Sequence, residues 1–203
     1  MLTALQPKSF QAPGASFAIV ASRYNARYVN AMLRAAKAEL KRAGARQVRV
    51  FRVPGAYEIP IVAARLARTA PAEAPTGARS PSPGLGLGVG VGVGVGGGSQ
   101  PAEAAPAARR LSRSARHSPP SAIICLGVIL RGQTVHAAHI GEAVSQALMR
   151  LQLECLVPVI HEVLLLENED QARARCLSKT HNRGAEAAQT ALAMARVMRQ
   201  IRP

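Results

Sequence analysis

The side chains best suited to chemistry stand together at Arg131-Gly132-Gln133-Thr134-Val135-His136. Upstream, Ala122 to Leu130 is an apolar, partly β-branched run of the kind that forms a buried parallel strand. Downstream, Ile140, Ala143, Val144, Ala147, Leu148 and Leu151 recur on one helical face. The order is therefore strand, tight glycine turn and helix N-terminus. In an open α/β sheet ligands bind at the carboxyl ends of the strands, and unpaired helix N–H groups favour an anion, so a phosphate or carboxylate is the expected guest. His136 falls in the first helical turn, where an imidazole beside an anion is a candidate acid–base group. His136 and His139 are spaced by three and also admit a metal reading, but two ligands alone fall short of a metal set, and none is expected.

The elements that must position this stretch follow from the pattern on either side of it. Ser16–Ala21 predicts a first strand, with Ser22 or Asn25 as the cap of a helix that shows Val29, Met32, Leu33, Ala36 and Leu40 at helical spacing and stops near Gly44. Gln47–Val53 predicts a second strand. Pro54-Gly55 forces a turn, and a helix follows to about Arg68. Beyond the central strand and helix, Leu156–Leu166 predicts a fourth strand. The acidic Glu167-Asn168-Glu169-Asp170 opens a helix to about Cys176, and Glu186–Ile201 forms the last one. The expected fold is a three-layer α/β/α single domain spanning 1–203, with a four-stranded, mostly parallel, flavodoxin-like sheet. Residues 1–15 are expected to be a flexible arm. Residues 71–120, rich in Gly, Pro and Ala with LGLGVGVGVGVGGG at their centre, are expected to be a disordered insertion, because alternate glycines maximise the entropy of ordering and leave one face nothing to pack.

Composition bounds the partners. The net charge of +15 is carried mainly by arginines scattered through every segment, which favours solvated faces and small anions over nucleic acid. The small basic cluster from Arg109 to His117 is the only stretch that hints at an acidic partner or RNA. Cys125, Cys155 and Cys176 are too few and too widely spaced for a disulfide framework or a zinc site, so reduced thiols are expected. With no secretory signal and no spanning helix in the sequence, a soluble cytoplasmic protein is expected.

Five separated motifs, VPGAYEIP, GVILRGQTVH, PVIHEV, ENEDQARAR and NRGAEAA, stand in the order found in 6,7-dimethyl-8-ribityllumazine synthases. The chain resembles that family over about residues 16–70 and 121–201. The resemblance implies a transferase of riboflavin biosynthesis. It would condense 5-amino-6-(D-ribitylamino)uracil with 3,4-dihydroxy-2-butanone 4-phosphate, giving the lumazine, phosphate and water with no cofactor. It also implies roles. His136 matches the proton-transfer histidine. Tyr24 matches the ring that lies against the pyrimidine. Ala56, Tyr57 and Glu58 match contacts to the ribitylaminouracil, as do Val128, Ile129 and Leu130 at a strand end. Gln133 and Thr134 match the phosphate-binding turn and Arg175 the guanidinium that pairs with that phosphate, with Lys179 adding charge nearby.

The sequence departs from the family pattern at four places. His161 stands where a phenylalanine packed on the uracil is usual, and Glu162 where a small residue is common. Tyr24 replaces the commoner Phe or Trp, and Arg183 stands where lysine or histidine is frequent. Glu162 either holds His161 charged or points to the opposite face of its strand. The alternative function these changes raise is a non-catalytic shell that retains flavin or lumazine. As partners the resemblance implies further copies of the chain, in pentamers or a sixty-subunit capsid with active sites shared between neighbours, and an association with riboflavin synthase. No membrane partner is expected.

Overall fold

The structure, a computed structural model, describes residues 11–68 and 119–201. The expected insertion, its basic cluster from Arg109 to His117 and the first ten residues of the expected arm lie outside the described residues, apart from the insertion's last two positions. Four strands, β1 (Ser16–Ser22), β2 (Gln47–Val53), β3 (Ala122–Leu130) and β4 (Val159–Leu166), form one sheet in the order β2-β1-β3-β4, parallel throughout. The central strands β1 and β3 carry almost unbroken apolar runs because both of their faces are covered. The edge strand β2 is less buried and alternates arginine with apolar residues.

Helices α1 (Ala26–Arg42) and α5 (Arg183–Gln200) cover one face. They pack Val29, Met32, Leu40, Ala188 and Leu192 onto Phe17, Ile19, Ile124 and Leu126. Helices α2 (Ile59–Ala67) and α3 (His136–Cys155) cover the other, with Ile59, Ala63, Val144 and Leu148 on Val20, Ile123, Cys125 and Val163. A short α4 (Glu169–Ala172) runs into a π-helical turn, Arg173–Leu177, which packs Cys176 into the first layer. Among the described residues no helix is long and apolar enough to cross a membrane. Cys125, Cys155 and Cys176 are all free thiols. Burial pushes the Cys176 thiol up to about 11, and the Cys125 thiol higher still.

Several local expectations are corrected. Residues 11–15 are docked rather than loose. Ala12 and Ala15 are buried, the Ala12 N–H donates to the Ala43 carbonyl at 2.8 Å, and Pro13 bridges to Ala45. β4 begins at Val159 instead of Leu156, because α3 continues to Cys155. Leu156 then ends it in the left-handed region at φ 52°, and Pro158 cannot extend a helix. α5 begins at Arg183 instead of Glu186, because the Asn182 side chain accepts from the Gly184 N–H at 2.9 Å and caps it there.

Strand alternation separates two neighbours on β4. His161 faces the α3 side, where its Nε2 lies 2.9 Å from Ser145 Oγ. The Ser145 hydroxyl hydrogen is given to the Gly141 carbonyl at 2.7 Å, so the imidazole donates from Nε2. Glu162 faces the α1/α5 layer and is buried. Of the two sequence readings, the opposite-face one holds, and Glu162 does not charge His161.

Two outcomes follow. A Cβ at Gly184 would run into the backbone of Met32 on α1, so Gly184→Ala is expected to destabilise by about 1–3 kcal/mol. Helix propensity alone predicts the opposite sign, and a urea midpoint at fixed protein concentration decides between them. Partial desolvation holds the His161 pKa below its ordinary 6.5, so the folded state favours the neutral ring. Its contribution to stability is full above pH 6.5 and is lost as the pH falls through the depressed value. An imidazole titration by NMR is expected to place its midpoint below that of the unfolded chain, and His161→Gln should flatten the acid limb of the stability profile.

Candidate active site

Three loops leave the carboxyl ends of β1, β2 and β3, and each brings a different chemistry to one cleft. After β1, Asn25 turns the chain at φ 53°, a conformation that asparagine tolerates better than most residues. Its side chain does not cap α1, as the sequence suggested. The Nδ2 instead donates to the Val128 carbonyl at 2.8 Å, tying the first loop to the end of β3 across 103 residues. Tyr24, just before it, leaves its ring 71% exposed at the mouth of the cleft.

After β2, the Glu58 carboxylate accepts from the Gly55 N–H at 2.8 Å. A side chain at Gly55 would press on both that carboxylate and the Tyr24 ring, so the Pro54-Gly55 turn is what allows ring and carboxylate to lie side by side. Tyr57 presents a second exposed ring. β3 outruns β1. Its pairing to β1 ends at Leu126, whereas its pairing to β4 continues to Leu130. Beyond Leu126 the edge of β3 that faces β1 thus has no strand partner among the described residues, and the Val128 carbonyl is engaged by Asn25. A planar heterocycle with its own donors and acceptors can take up that edge.

The cleft encloses about 690 Å³. Its walls include Tyr24, Asn25, Gly55, Ala56, Tyr57, Glu58, Val128, Ile129, Leu130, His136, His139, Ile140 and Ala143. Eight of the residues singled out from sequence therefore meet here: Tyr24, Ala56, Tyr57, Glu58, Val128, Ile129, Leu130 and His136. Gln133 and Thr134 lie in the exposed turn that leads into α3 beside the cleft. That helix begins with neither a side-chain cap nor an acidic residue in its first turn, while Asn168 and Asn182 cap α4 and α5. The N–H groups at the start of α3 are left for an anion. Arg131, at the start of the same turn, is tethered to Glu167 at 2.9 Å and to the end of β4.

Five predicted residues do not line this cleft: Gln133 and Thr134, which stand beside it, and His161, Arg175 and Lys179. His161 lines a separate groove between α3 and β4 with Ser145, Leu148 and Met149. Arg175 is exposed in the π-helical turn, and Lys179 is exposed in the segment that follows it. Sequence reasoning missed Asn25 as a strut, Gly55 as a spacer and His139 as a lining residue. For His139 the signal was present, because residues three apart share a helical face. For Asn25 none was, because a contact across 103 residues leaves no local trace. Among the described residues no three His, Cys, Asp or Glu side chains gather as a metal-binding group.

This arrangement can be set beside known proteins. The family model for 6,7-dimethyl-8-ribityllumazine synthase matches residues 14–77 and 100–199. A 6,7-dimethyl-8-ribityllumazine synthase of Stenotrophomonas maltophilia (strain R551-3) is 32% identical over 189 residues, covering 92% of this chain and 91% of the relative. The protein of the same name from Xanthomonas oryzae pv. oryzae (strain PXO99A) is 31% identical over 188 residues, covering 92% and 91%. That from Xanthomonas campestris pv. campestris (strain B100) is 30% identical over 186 residues, covering 91% and 90%. With a family model that matches most of the chain and relatives similar over nine-tenths of it, this chain belongs to the 6,7-dimethyl-8-ribityllumazine synthase family.

Proposed function

We propose that the chain is a catalytic lumazine synthase of the cytoplasm. It condenses 5-amino-6-(D-ribitylamino)uracil with 3,4-dihydroxy-2-butanone 4-phosphate to give 6,7-dimethyl-8-ribityllumazine, phosphate and water. One observation carries the reading: the unpaired end of β3, the Glu58 carboxylate, two exposed tyrosine rings and the His136 imidazole open onto a single cleft beside an uncapped helix N-terminus. In this reading the backbone of Val128–Leu130 takes the pyrimidine edge, and the Tyr24 ring lies on its face. Glu58 accepts from ribityl hydroxyls. Gln133, Thr134 and the start of α3 hold the phosphate, and Arg175 neutralises it. The amine of the uracil attacks the ketone to form an imine and water. Phosphate then leaves, and ring closure with loss of a second water completes the product. His136 is placed to move the protons of these steps, and much of the rate comes from holding two substrates together.

Arg175 and His161 reach the cleft in this reading from a neighbouring copy of the chain. The α2 and α3 surface supports such an assembly. Ile61, Met149 and Leu153 are all more than half exposed on it, a concentration of apolar surface that marks an interface. A pentamer is the assembly we favour. The rival reading, a non-catalytic flavin- or lumazine-binding shell, rested on altered polarity at both His161 and Glu162. It loses one support because Glu162 is buried in the opposite layer.

The first test follows lumazine fluorescence and phosphate release together on the purified protein. Both rising in step above the spontaneous background are expected, and neither rising while the fold is intact would favour the binding shell. His136→Ala is expected to slow product formation at least about ten-fold, and an unchanged rate would remove His136 from the mechanism. Leu153→Glu is expected to yield smaller particles by light scattering and to abolish turnover, since a lone copy lacks Arg175 in its own cleft. A fully active monomer would refute site sharing.

A further inference from the structure

Glu162 is the one charged side chain buried among the described residues, and nothing in the reaction above uses it. It points from β4 into the layer made by α1 and α5. There Arg183, the first residue of α5, donates from Nε to its Oε1 at 2.6 Å. The same guanidinium donates from Nη1 to Glu186 Oε2 at 2.6 Å, so it forks between the strand and its own helix. Desolvation pushes the Glu162 pKa up, and the charge of Arg183 opposes that shift.

The residues leading into Arg183 are tied to the π-helical turn. The Asn182 side chain donates to the Cys176 carbonyl and accepts from the Gly184 N–H. Ser178 Oγ accepts from the N–H groups of Thr180 and His181. Cys176 is fully buried, and Arg175 beside it is exposed. A π-helical turn holds one residue more than an α-helical turn and re-aims the side chains it carries. The charges in this stretch are sorted as well. Arg173 is bound by Glu169 and Asp170, and Arg183 by Glu162 and Glu186, whereas Arg175 makes no close ion pair among the described residues, its charge acting on Glu162 only at longer range.

We propose that Glu162 and Arg183 are positioning residues for Arg175. By fixing the start of α5 to β4, and through Asn182 the carbonyl of Cys176, the buried pair sets where the free guanidinium stands for the substrate phosphate without touching substrate itself. This rests on the reading of Arg175 as the phosphate-binding arginine. Glu162 and Arg183 are two of the four site-motif positions at which this sequence departs from the pattern that the resemblance implies.

The test is a double-mutant cycle on the full-length assembled protein, with KM measured for each substrate. Arg175→Ala alone checks the underlying reading, and a KM for the butanone phosphate that does not change would overturn it. Given a raised KM there, Glu162→Gln is expected to raise the same KM by roughly 10-fold or more, with kcat and the KM for the ribitylaminouracil little changed. In the Arg175→Ala background Glu162→Gln is expected to add nothing, because a residue acting only through Arg175 has nothing left to position. An equal effect in both backgrounds, or no effect in either, overturns the inference while leaving the phosphate reading intact. Should Glu162→Gln fail to fold, Arg183→Lys, which keeps the charge but loses the fork, carries the same cycle with the same expected pattern.

Discussion

A parallel sheet must have both faces covered, and it gathers the carboxyl ends of all its strands along one edge. Everything that bears on function in this chain depends on that constraint. The strand order β2-β1-β3-β4 places β1 and β3 side by side at the centre, and the loops that follow them meet over the same edge. Because β3 runs four residues past the last residue paired with β1, the meeting point has an open hydrogen-bonding edge as its floor. Asn25 closes the corner by bonding to Val128, and Gly55 leaves room for Glu58 and Tyr24 to share the wall.

The two layers of helices divide the work. The α2/α3 side builds the cleft and carries the exposed apolar surface. The α1/α5 side is densely buried and holds the one buried carboxylate among the described residues, the π-helical turn and Arg175 at its rim. The loops after β1, β2 and β3 complete the walls of that cleft.

Charge in this strongly basic chain is sorted locally. Arginines near the sheet edge are engaged by carboxylates: Arg131 by Glu167, Arg173 by Glu169 and Asp170, and Arg183 by Glu162 and Glu186. Such pairs at the surface add little stability. The buried pair is different in kind. A carboxylate out of water is costly unless a close, hydrogen-bonded cation compensates it, as Arg183 does for Glu162 at 2.6 Å.

Much of this was legible in the sequence. The strands from Ser16, Gln47 and Ala122, and the helix that opens at His136, follow from apolar runs, helical periodicity and turn residues, all of which are local signals. The site residues on the three loops follow from the same signals together with the motifs that carry the family resemblance. What the sequence left open is what depends on distance through space. The direction of Glu162 needed the register of β4, the role of Asn25 needed β3 to lie against β1, and the docking of Ala12 needed the end of α1. Local pattern determined which elements form and which residues cap, turn or line them. Only the tertiary structure decided which side chains meet, because such contacts join residues as far as 141 positions apart, and a pairing at that range leaves no periodicity along the chain.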